Sequence, residues 1–169
     1  AFANRSALTN RLRQTLAKEL DVETTLLYDV SHNIAKIEDH DIGGKTCTCV
    51  VHRKGATRAM PNQPVLVPGD MGTGSWLLEG RKGNRAFSSS CHGAGRILSR
   101  SEAKRQIDGK ALKLELESRG IRVHANTPNI MSEEAPDAYK DVDEVVDLSN
   151  AAGLTKPIAR LMPLAVIKG

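Results

Sequence analysis

The sequence has few aromatic residues, few cysteines and no long apolar run. Phe, Trp and Tyr make up 3% of its 169 residues, which argues against a stacking platform for single-stranded bases as the main binding device. Three cysteines, an odd number, together with the lack of a signal peptide, predict a cytoplasmic protein without structural disulfides and without a membrane span. An initiating methionine is also missing, so we expect the chain to be a piece of a longer protein.

The chain carries a mild excess of positive charge. It has 24 Lys and Arg residues against 20 Asp and Glu residues, which gives a net charge of +4. Such an excess favours a polyanionic partner such as RNA without requiring one. The length is that of one domain or two small ones and is sufficient to bury a core.

The spacing of apolar and turn residues predicts both helices and strands. A leucine at every fourth position from Leu8 to Leu20 indicates an amphipathic helix, and residues 26–30 have the composition of a strand. Gly43-Gly44 between two β-like runs, 37–42 and 46–51, indicates a hairpin. Further strands are predicted at 64–67, 76–78, 121–124 and within 157–167, and further helices at 97–107, 111–119 and 141–152. We therefore predict one α+β domain over residues 1–169, with a mixed sheet and packed helices.

Residues 88–96, Ser-Ser-Ser-Cys-His-Gly-Ala-Gly-Arg, are the most informative stretch. Because a helix is predicted to follow, we expect His92 where a loop enters a helix N-terminus, a place suited to a phosphate. A histidine beside a phosphate can act as an acid, a base, a metal ligand or a nucleophile. The alternative is an ordinary glycine-rich turn with a half-buried histidine.

Three other features have both a functional and a structural interpretation. The loop 68–75, Pro-Gly-Asp-Met-Gly-Thr-Gly-Ser, lies between two strands and is consistent with a nucleotide cradle, although it matches neither a P-loop nor a dinucleotide-binding fingerprint. The basic loop 52–58 and the stripe formed by Arg96, Arg100 and Lys104 are either phosphate-binding or solvated. Cys47 and Cys49 have the wrong spacing for a zinc knuckle, and we expect them to be small buried side chains.

Six ordered motifs, taken together, closely resemble the RtcB family, the tRNA-splicing, GTP-dependent RNA ligases. The resemblance covers essentially the whole chain and corresponds to the C-terminal part of that family's length. The motifs are Tyr-Asp-Val-Ser-His-Asn (28–33), His-Arg-Lys-Gly-Ala-Thr-Arg (52–58), Pro-Gly-Asp-Met-Gly-Thr (68–73), Cys-His-Gly-Ala-Gly-Arg (91–96), Glu-Glu-Ala-Pro-x-Ala-Tyr-Lys (133–140) and Lys-Gly (168–169).

The resemblance implies an RNA ligase that joins a 3′-phosphate, or a 2′,3′-cyclic phosphate after hydrolysis, to a 5′-hydroxyl with GTP and Mn²⁺. By similarity, His92 is the catalytic residue that attacks the GTP α-phosphate and carries GMP, and His32 is a manganese ligand. Arginines that match a phosphate- or RNA-binding set are Arg53, Arg58, Arg96 and Arg100. Residues that match nucleotide contacts are Asn33, Pro68, Gly69, Asp70, Met71, Ser75, Gly93, Ala94, Gly95, Tyr139 and Lys168.

Two features separate this sequence from the family's full pattern. The family's other metal ligands, a cysteine, an aspartate and two histidines, belong to the N-terminal part of its length, so we expect an N-terminal partner segment to supply them. Asp70 stands where many relatives have serine, which places a negative charge near the phosphates. Two alternatives therefore remain: a truncated guanine-nucleotide- or RNA-binding module without catalysis, and an unrelated phosphotransfer protein that uses His92 as a phosphohistidine.

Overall fold

The computed structural model describes residues 2–168, with only the backbone of Lys168. The chain divides into two compact units, residues 1–31 and residues 32–169, and the prediction of one domain stays a prediction. No helix within the described residues is long and apolar enough to cross a membrane.

The first unit contains the predicted leucine-rich helix, α1 (Phe2–Leu20), and an irregular segment that follows it. An ion pair joins Arg5 Nε to Asp29 Oδ1 at 2.6 Å. The strand predicted at 26–30 is wrong, because these residues form no regular element. A strand needs a partner for its backbone hydrogen bonds, and residues 2–31 offer none.

The second unit begins with the predicted hairpin. Strands β1 (Asn33–Ile42) and β2 (Lys45–Lys54) pair antiparallel, and the turn residues Gly43 and Gly44 have φ values of 63° and 81°. Positive φ at both turn positions matches the twist of the strands and is easiest for glycine. Strand β2 extends through residues 52–54, so part of the predicted basic loop is a strand.

The remaining elements confirm the α+β class. Strand β4 (Pro64–Val67), β5 (Ser75–Gly80) and β8 (Thr155–Leu161) form an antiparallel sheet in the order β4-β5-β8. Two further pairs are β3 (Ala56–Arg58) with β6 (Ser89–Cys91), antiparallel, and β7 (Arg122–Ala125) with β9 (Ala165–Lys168), parallel. The helices are α2 (Arg100–Gln106), α3 (Gly109–Ser118), α4 (Pro128–Glu133) and α5 (Val142–Ala151), with a 3₁₀ turn at Pro136–Ala138.

Two hydrophobic clusters fix the loop between β4 and β5. Strand residues Val65, Val67 and Leu78 pack with Val142 and Val146 of α5. The loop itself contributes Met71, which is 1% exposed, to the other cluster, formed mainly by α3, α4 and β7. The strands on either side of the glycine-rich loop pack in one cluster, and Met71 of the loop packs in the other. The loop is therefore held both at its ends and at Met71.

The helix after His92 begins later than its composition predicts. Ser99 is the N-cap of α2, and a capping box joins it to Glu102, so the predicted start near Ile97 is wrong. Residues 93–99 instead form a loop, in which the N–H groups of Ile97 and Leu98 donate to the carbonyl of Ala138. His92 therefore does not lie at a helix N-terminus.

Candidate nucleotide and catalytic site

Two histidines lie face to face where three strands meet. The rings of His32 and His92 are stacked, with centroids 4.6 Å apart and planes 8° apart. His32 immediately precedes β1 and His92 immediately follows β6. The N–H of Gly55, the residue between β2 and the next strand, donates to the carbonyl of His32 at 3.0 Å. The strand pairing thus brings together two histidines that are far apart in sequence.

The surroundings of His92 favour its neutral form. Burial lowers the pKa of His92, and the neighbouring His32 lowers it further. A neutral imidazole keeps a nitrogen lone pair available near neutral pH, as a nucleophile or a base requires. Gly55 lies against this ring: a Cβ there would make van der Waals contact with Nε2 of His92 at 3.5 Å, and it is the φ of 70° that favours glycine.

A cavity of about 470 Å³ opens beside His92. This volume lies within the usual range for small-molecule sites. The cavity brings together most of the predicted nucleotide residues, two of the predicted arginines and one carboxylate outside the predicted set. Its lining consists of Pro68, Gly69, Asp70, His92, Gly93, Ala94, Gly95, Arg96, Arg100, Glu134 and Tyr139.

One wall of the cavity is a loop closed by its own side chains. The Asp70 carboxylate accepts from the N–H groups of Gly72 and Thr73, at 2.7 and 2.9 Å. The hydroxyl of Ser75 accepts from the N–H of Gly69, where any Cβ would overlap the backbone of the same loop. The negative charge of Asp70 is therefore balanced in part by backbone N–H groups.

Another part of the cavity lining is a network around Arg96 and Tyr139. Nη1 of Arg96 donates to the Tyr139 hydroxyl at 2.9 Å, and that hydroxyl donates to Oε2 of Glu134 at 2.6 Å. The Arg96 guanidinium also lies 4.7 Å from the centroid of the Tyr139 ring. Burial, and then the bond to Glu134, raise the pKa of Tyr139, so the phenol remains protonated and able to donate.

The predicted basic stripe is paired with acidic residues of α4 and of the position after it. Arg100 Nε lies 3.8 Å from Glu133 and 3.7 Å from Glu134, and Lys104 contacts Glu133. Arg100 nevertheless remains 67% exposed at its side chain. This stripe is therefore partly neutralised, and a bound phosphate would compete with the two glutamates for it.

Several other predicted site residues with described side chains lie away from the cavity lining. Met71 packs in the core, and Ser75 supports the loop. Asn33 borders a separate surface depression together with Arg53. The Arg58 guanidinium donates to Gln63 at 3.1 Å. The side chain of Lys168 lies outside the described residues.

Arg53 is the buried member of the predicted arginine set, with 2% of its surface exposed. It forms a two-pronged ion pair with Glu38 and also bonds Phe87 and Ser89. Sequence reasoning missed Glu38, although the hairpin register places it on the same face as Arg53. It also missed Glu134, which stands inside a motif already noted.

The described residues do not by themselves form a manganese site. Within residues 2–168 there is no group of three or more His, Cys, Asp or Glu side chains able to hold a metal ion. His32 offers an imidazole of the kind that manganese accepts. Any complete site would need ligands in addition to His32.

Comparison with known proteins gives consistent matches along the whole chain. A model of the RtcB family, described as tRNA-splicing ligase RtcB, matches residues 1–169. The chain is 48% identical over 180 residues to the RNA-splicing ligase RtcB of Mycobacterium tuberculosis, covering 99% of this chain and 42% of that protein. It is 47% identical over 189 residues to the tRNA-splicing ligase RtcB of Thermococcus kodakarensis, covering 100% of this chain and 39% of that protein.

A third relative is the tRNA-splicing ligase RtcB of Pyrococcus horikoshii, 44% identical over 190 residues. The match covers 100% of this chain and 22% of that protein. The chain thus spans less than half the length of the curated relatives to which it is similar.

Proposed function

Because the chain belongs to the RtcB family of tRNA-splicing ligases, we propose that it is the C-terminal part of an RNA ligase. The complete protein joins an RNA 3′-phosphate, or a 2′,3′-cyclic phosphate after hydrolysis, to an RNA 5′-hydroxyl through a GMP–histidine intermediate. The observation that carries this proposal is the partly buried His92, which is stacked on His32 and lines a nucleotide-sized cavity.

The proposed chemistry uses His92 as the nucleophile. A ring nitrogen of His92 attacks the GTP α-phosphorus, so that a P–N bond forms and the P–O bond to pyrophosphate breaks. An oxygen of the RNA 3′-phosphate then attacks the same phosphorus and releases His92. The 5′-hydroxyl of the second RNA end finally attacks the activated 3′-phosphorus, with loss of GMP and of the hydroxyl proton. The lowered pKa of His92 supports the first step, since only the neutral ring is nucleophilic.

The cavity walls supply charge and orientation for these steps. Arg96 and Arg100 can neutralise phosphate oxygens, which is the main requirement of phosphoryl-type transfer. The glycines beside His92 allow a ligand to approach the backbone closely. Asn33, Tyr139 and Lys168 remain proposed nucleotide contacts, and Arg58 a proposed RNA contact.

The proposal includes GTP and Mn²⁺, with His32 as one metal ligand. Bound manganese would supply charge neutralisation to the phosphates. The remaining ligands would come from the N-terminal part of the protein, since the described residues hold no cluster of three. The same observation favours a second candidate, a guanine-nucleotide- or RNA-binding module that catalyses nothing on its own.

Labelling of the complete protein with α-labelled GTP and Mn²⁺ tests the proposal. We expect an acid-labile, alkali-stable GMP adduct that His92→Ala abolishes without loss of the native circular dichroism spectrum. In a separate titration followed by electron paramagnetic resonance, His32→Ala should weaken Mn²⁺ binding by the complete protein. An undiminished adduct in His92→Ala would remove His92 as the nucleophile.

A further inference from the structure

A buried ion pair joins the two strands of the hairpin on its inner face. Nη1 and Nη2 of Arg53 donate to Oε1 and Oε2 of Glu38 at 3.0 and 2.7 Å. The two residues are 2% and 9% exposed. Two parallel N–H···O bonds fix the plane of the guanidinium as well as its position.

The remaining donors of Arg53 reach a different part of the chain. Nε donates to the hydroxyl of Ser89 at 2.9 Å, and Nη2 donates to the carbonyl of Phe87 at 2.9 Å. Because every nitrogen of the buried guanidinium has a protein acceptor, none is presented to solvent for an RNA phosphate. Arg53 instead connects the hairpin to residues 87–89.

The backbone that Arg53 holds is in an unfavourable conformation. Phe87 and Ser88 have φ values of 50° and 47°, in the left-handed region that residues with a Cβ avoid. Two adjacent residues in this region persist only where their surroundings hold them. A second restraint is the N–H of Ala59, which donates to the carbonyl of Ser88 at 2.7 Å.

This segment leads directly to His92. Strand β6 follows Ser88, pairs with β3 in a fixed register, and ends at the residue before His92. A three-residue strand has few ladder bonds of its own, and a slip by one residue would turn each side chain to the opposite face. The orientation of the His92 ring against His32 therefore depends on how the start of β6 is held.

We propose that Arg53, fixed by Glu38, is a positioning residue that sets the ring of His92 by holding the left-handed backbone of Phe87 and Ser88. The inference rests on the proposed function, because the ring so placed is the nucleophile of that function. It gives Arg53 a task distinct from contact with RNA.

The test compares Arg53→Lys with Arg85→Lys in the complete protein. Lysine keeps the charge but cannot bond Glu38, Phe87 and Ser89 in one plane. Arg85 is an exposed arginine two residues before Phe87, so its replacement is the matched control. We expect Arg53→Lys to slow formation of the GMP adduct at saturating GTP on the order of tenfold or more. The GTP concentration for half-maximal rate should change less than about twofold. A lower maximal rate with nearly unchanged GTP dependence indicates that the His92 ring is misplaced and that GTP binding is not weakened.

Contact with RNA predicts the opposite pattern. If Arg53 bound RNA, the adduct would form at the wild-type rate, because the labelling reaction contains no RNA, and only the RNA concentration needed for sealing would rise. That result would overturn the inference.

Glycine at position 88 provides a rescue experiment. Glycine adopts positive φ without the penalty that a Cβ imposes, so Ser88→Gly should restore part of the adduct rate in the Arg53→Lys background. Ser88→Ala keeps the penalty and should restore nothing. Equal effects of the two substitutions would contradict the proposed role of the backbone.

Two measurements keep the inference testable if Arg53→Lys folds poorly or the wild type forms no adduct. Glu38→Asp keeps both charges and should slow the adduct in the same direction by a smaller factor; a wild-type rate would count against the inference. Ring-proton shifts of histidine-labelled protein report the stacking of His92 on His32 without any turnover. Failure of wild-type labelling would refute the proposed function, whereas an unchanged His92 ring shift in a folded Arg53→Lys or Glu38→Asp variant would refute the positioning role.

Discussion

At Glu38, burial and neighbouring charge act on the carboxyl pKa in opposite directions. Burial raises it, while hydrogen bonds from Arg53 and His40 and the charges of Arg53 and Arg58 lower it, and the net result lies below the ordinary value of 4.5. The short, two-pronged geometry with Arg53 explains why attraction outweighs desolvation. The carboxylate is consequently ionised at neutral pH.

This lowered pKa predicts a loss of stability in acid. As the pH falls, the unfolded chain takes up a proton near pH 4.5, before the folded protein protonates Glu38. The contribution of Glu38 is therefore present above pH 4.5 and is lost as the pH falls through the lower folded-state pKa. Urea unfolding of Glu38→Gln should show a free energy of unfolding lower by about 3 kcal/mol at pH 7, because the substitution leaves Arg53 buried without its anion.

The difference between wild type and Glu38→Gln should narrow below pH 4.5. Glu115→Gln is the matched control, since Glu115 of α3 forms an exposed pair with Arg119, the residue directly after that helix, worth about 0.5 kcal/mol or less. A difference that stayed constant from pH 7 to pH 3 would contradict the assignment of this acid sensitivity to Glu38.

Residue identity alone predicts chemistry better than it predicts orientation. The glycines around His92 and the carboxylate of Asp70 were recognisable as parts of a loop site, and the structure places them on one cavity. Nothing in the sequence near Asp70 shows that its carboxylate bonds Gly72 and Thr73, because that choice depends on the loop's backbone angles. Similarly, the sequence does not distinguish Arg53 from its exposed basic neighbours, because only the register of β1 and β2 places its side chain on the inner face of the hairpin.

Among the elements, those set by local signals are predicted well and those set by distant partners are not. Gly43-Gly44 determines the hairpin turn, and α3 ends within one residue of its predicted end at 119, just before Gly120, whose φ is 81°. Residues 26–30 have β-forming side chains but no partner strand within residues 2–31. Similarly, Ile97 suits a helix, yet its N–H donates to Ala138, a contact that the local sequence does not encode.

The position of Glu134, directly after α4, predicts that its carboxylate limits anion binding in the cavity. Its carboxylate lies 3.5 Å from Arg96 and 3.7 Å from Arg100, so an incoming phosphate must compete with it. Glu134→Gln removes the charge but keeps an oxygen that can accept from Tyr139. We expect calorimetry on the complete protein to show tripolyphosphate binding tightened by about threefold, equivalent to less than ~1 kcal/mol.

Glu117→Gln serves as the control for Glu134→Gln. Glu117 pairs with Lys113 on α3 and does not line the cavity, so its loss should leave tripolyphosphate affinity unchanged. The Arg100 side chain is 67% exposed, whereas those of Arg96 and Glu134 are 22% and 18% exposed, so salt screens only part of this competition. The gain from Glu134→Gln should therefore shrink modestly between about 50 mM and about 500 mM salt, a range over which the Debye length shortens roughly threefold. Weaker binding by Glu134→Gln would mean that Glu134 supports the ligand rather than competing with it.

For the molecule as a whole, the chain carries the proposed nucleophile but only one proposed metal ligand. The nucleotide cavity, His92 and the two arginines beside it belong to one unit, residues 32–169. A metal site, in contrast to the cavity, is not complete in this unit, because no group of three or more suitable ligands occurs within the described residues. This asymmetry agrees with a chain that spans 39% to 42% of two curated relatives.

We therefore predict that these 169 residues alone do not seal RNA efficiently, although they retain weak guanine-nucleotide binding. A metal site needs ligands that converge from a fixed shell, and a single histidine leaves most coordination positions to water. Without the positive charge of a firmly bound metal ion, the negative charge that develops during phosphoryl transfer is poorly stabilised. Binding is less demanding, since the glycine-rich loop, His92 and Arg96 line the same cavity without any other chain.

The comparison is between this chain alone and the same chain joined to the N-terminal part of the protein. Circular dichroism first establishes that the isolated chain is folded, and both proteins then receive GTP, Mn²⁺ and RNA ends bearing a 3′-phosphate and a 5′-hydroxyl. The expected result is a sealing rate for the isolated chain lower by on the order of a thousandfold or more, which corresponds to ~4 kcal/mol of lost transition-state stabilisation. A folded isolated chain that sealed RNA at nearly the rate of the joined protein would contradict the prediction, because one histidine ligand would then have to suffice or a metal site would have to form from residues placed differently.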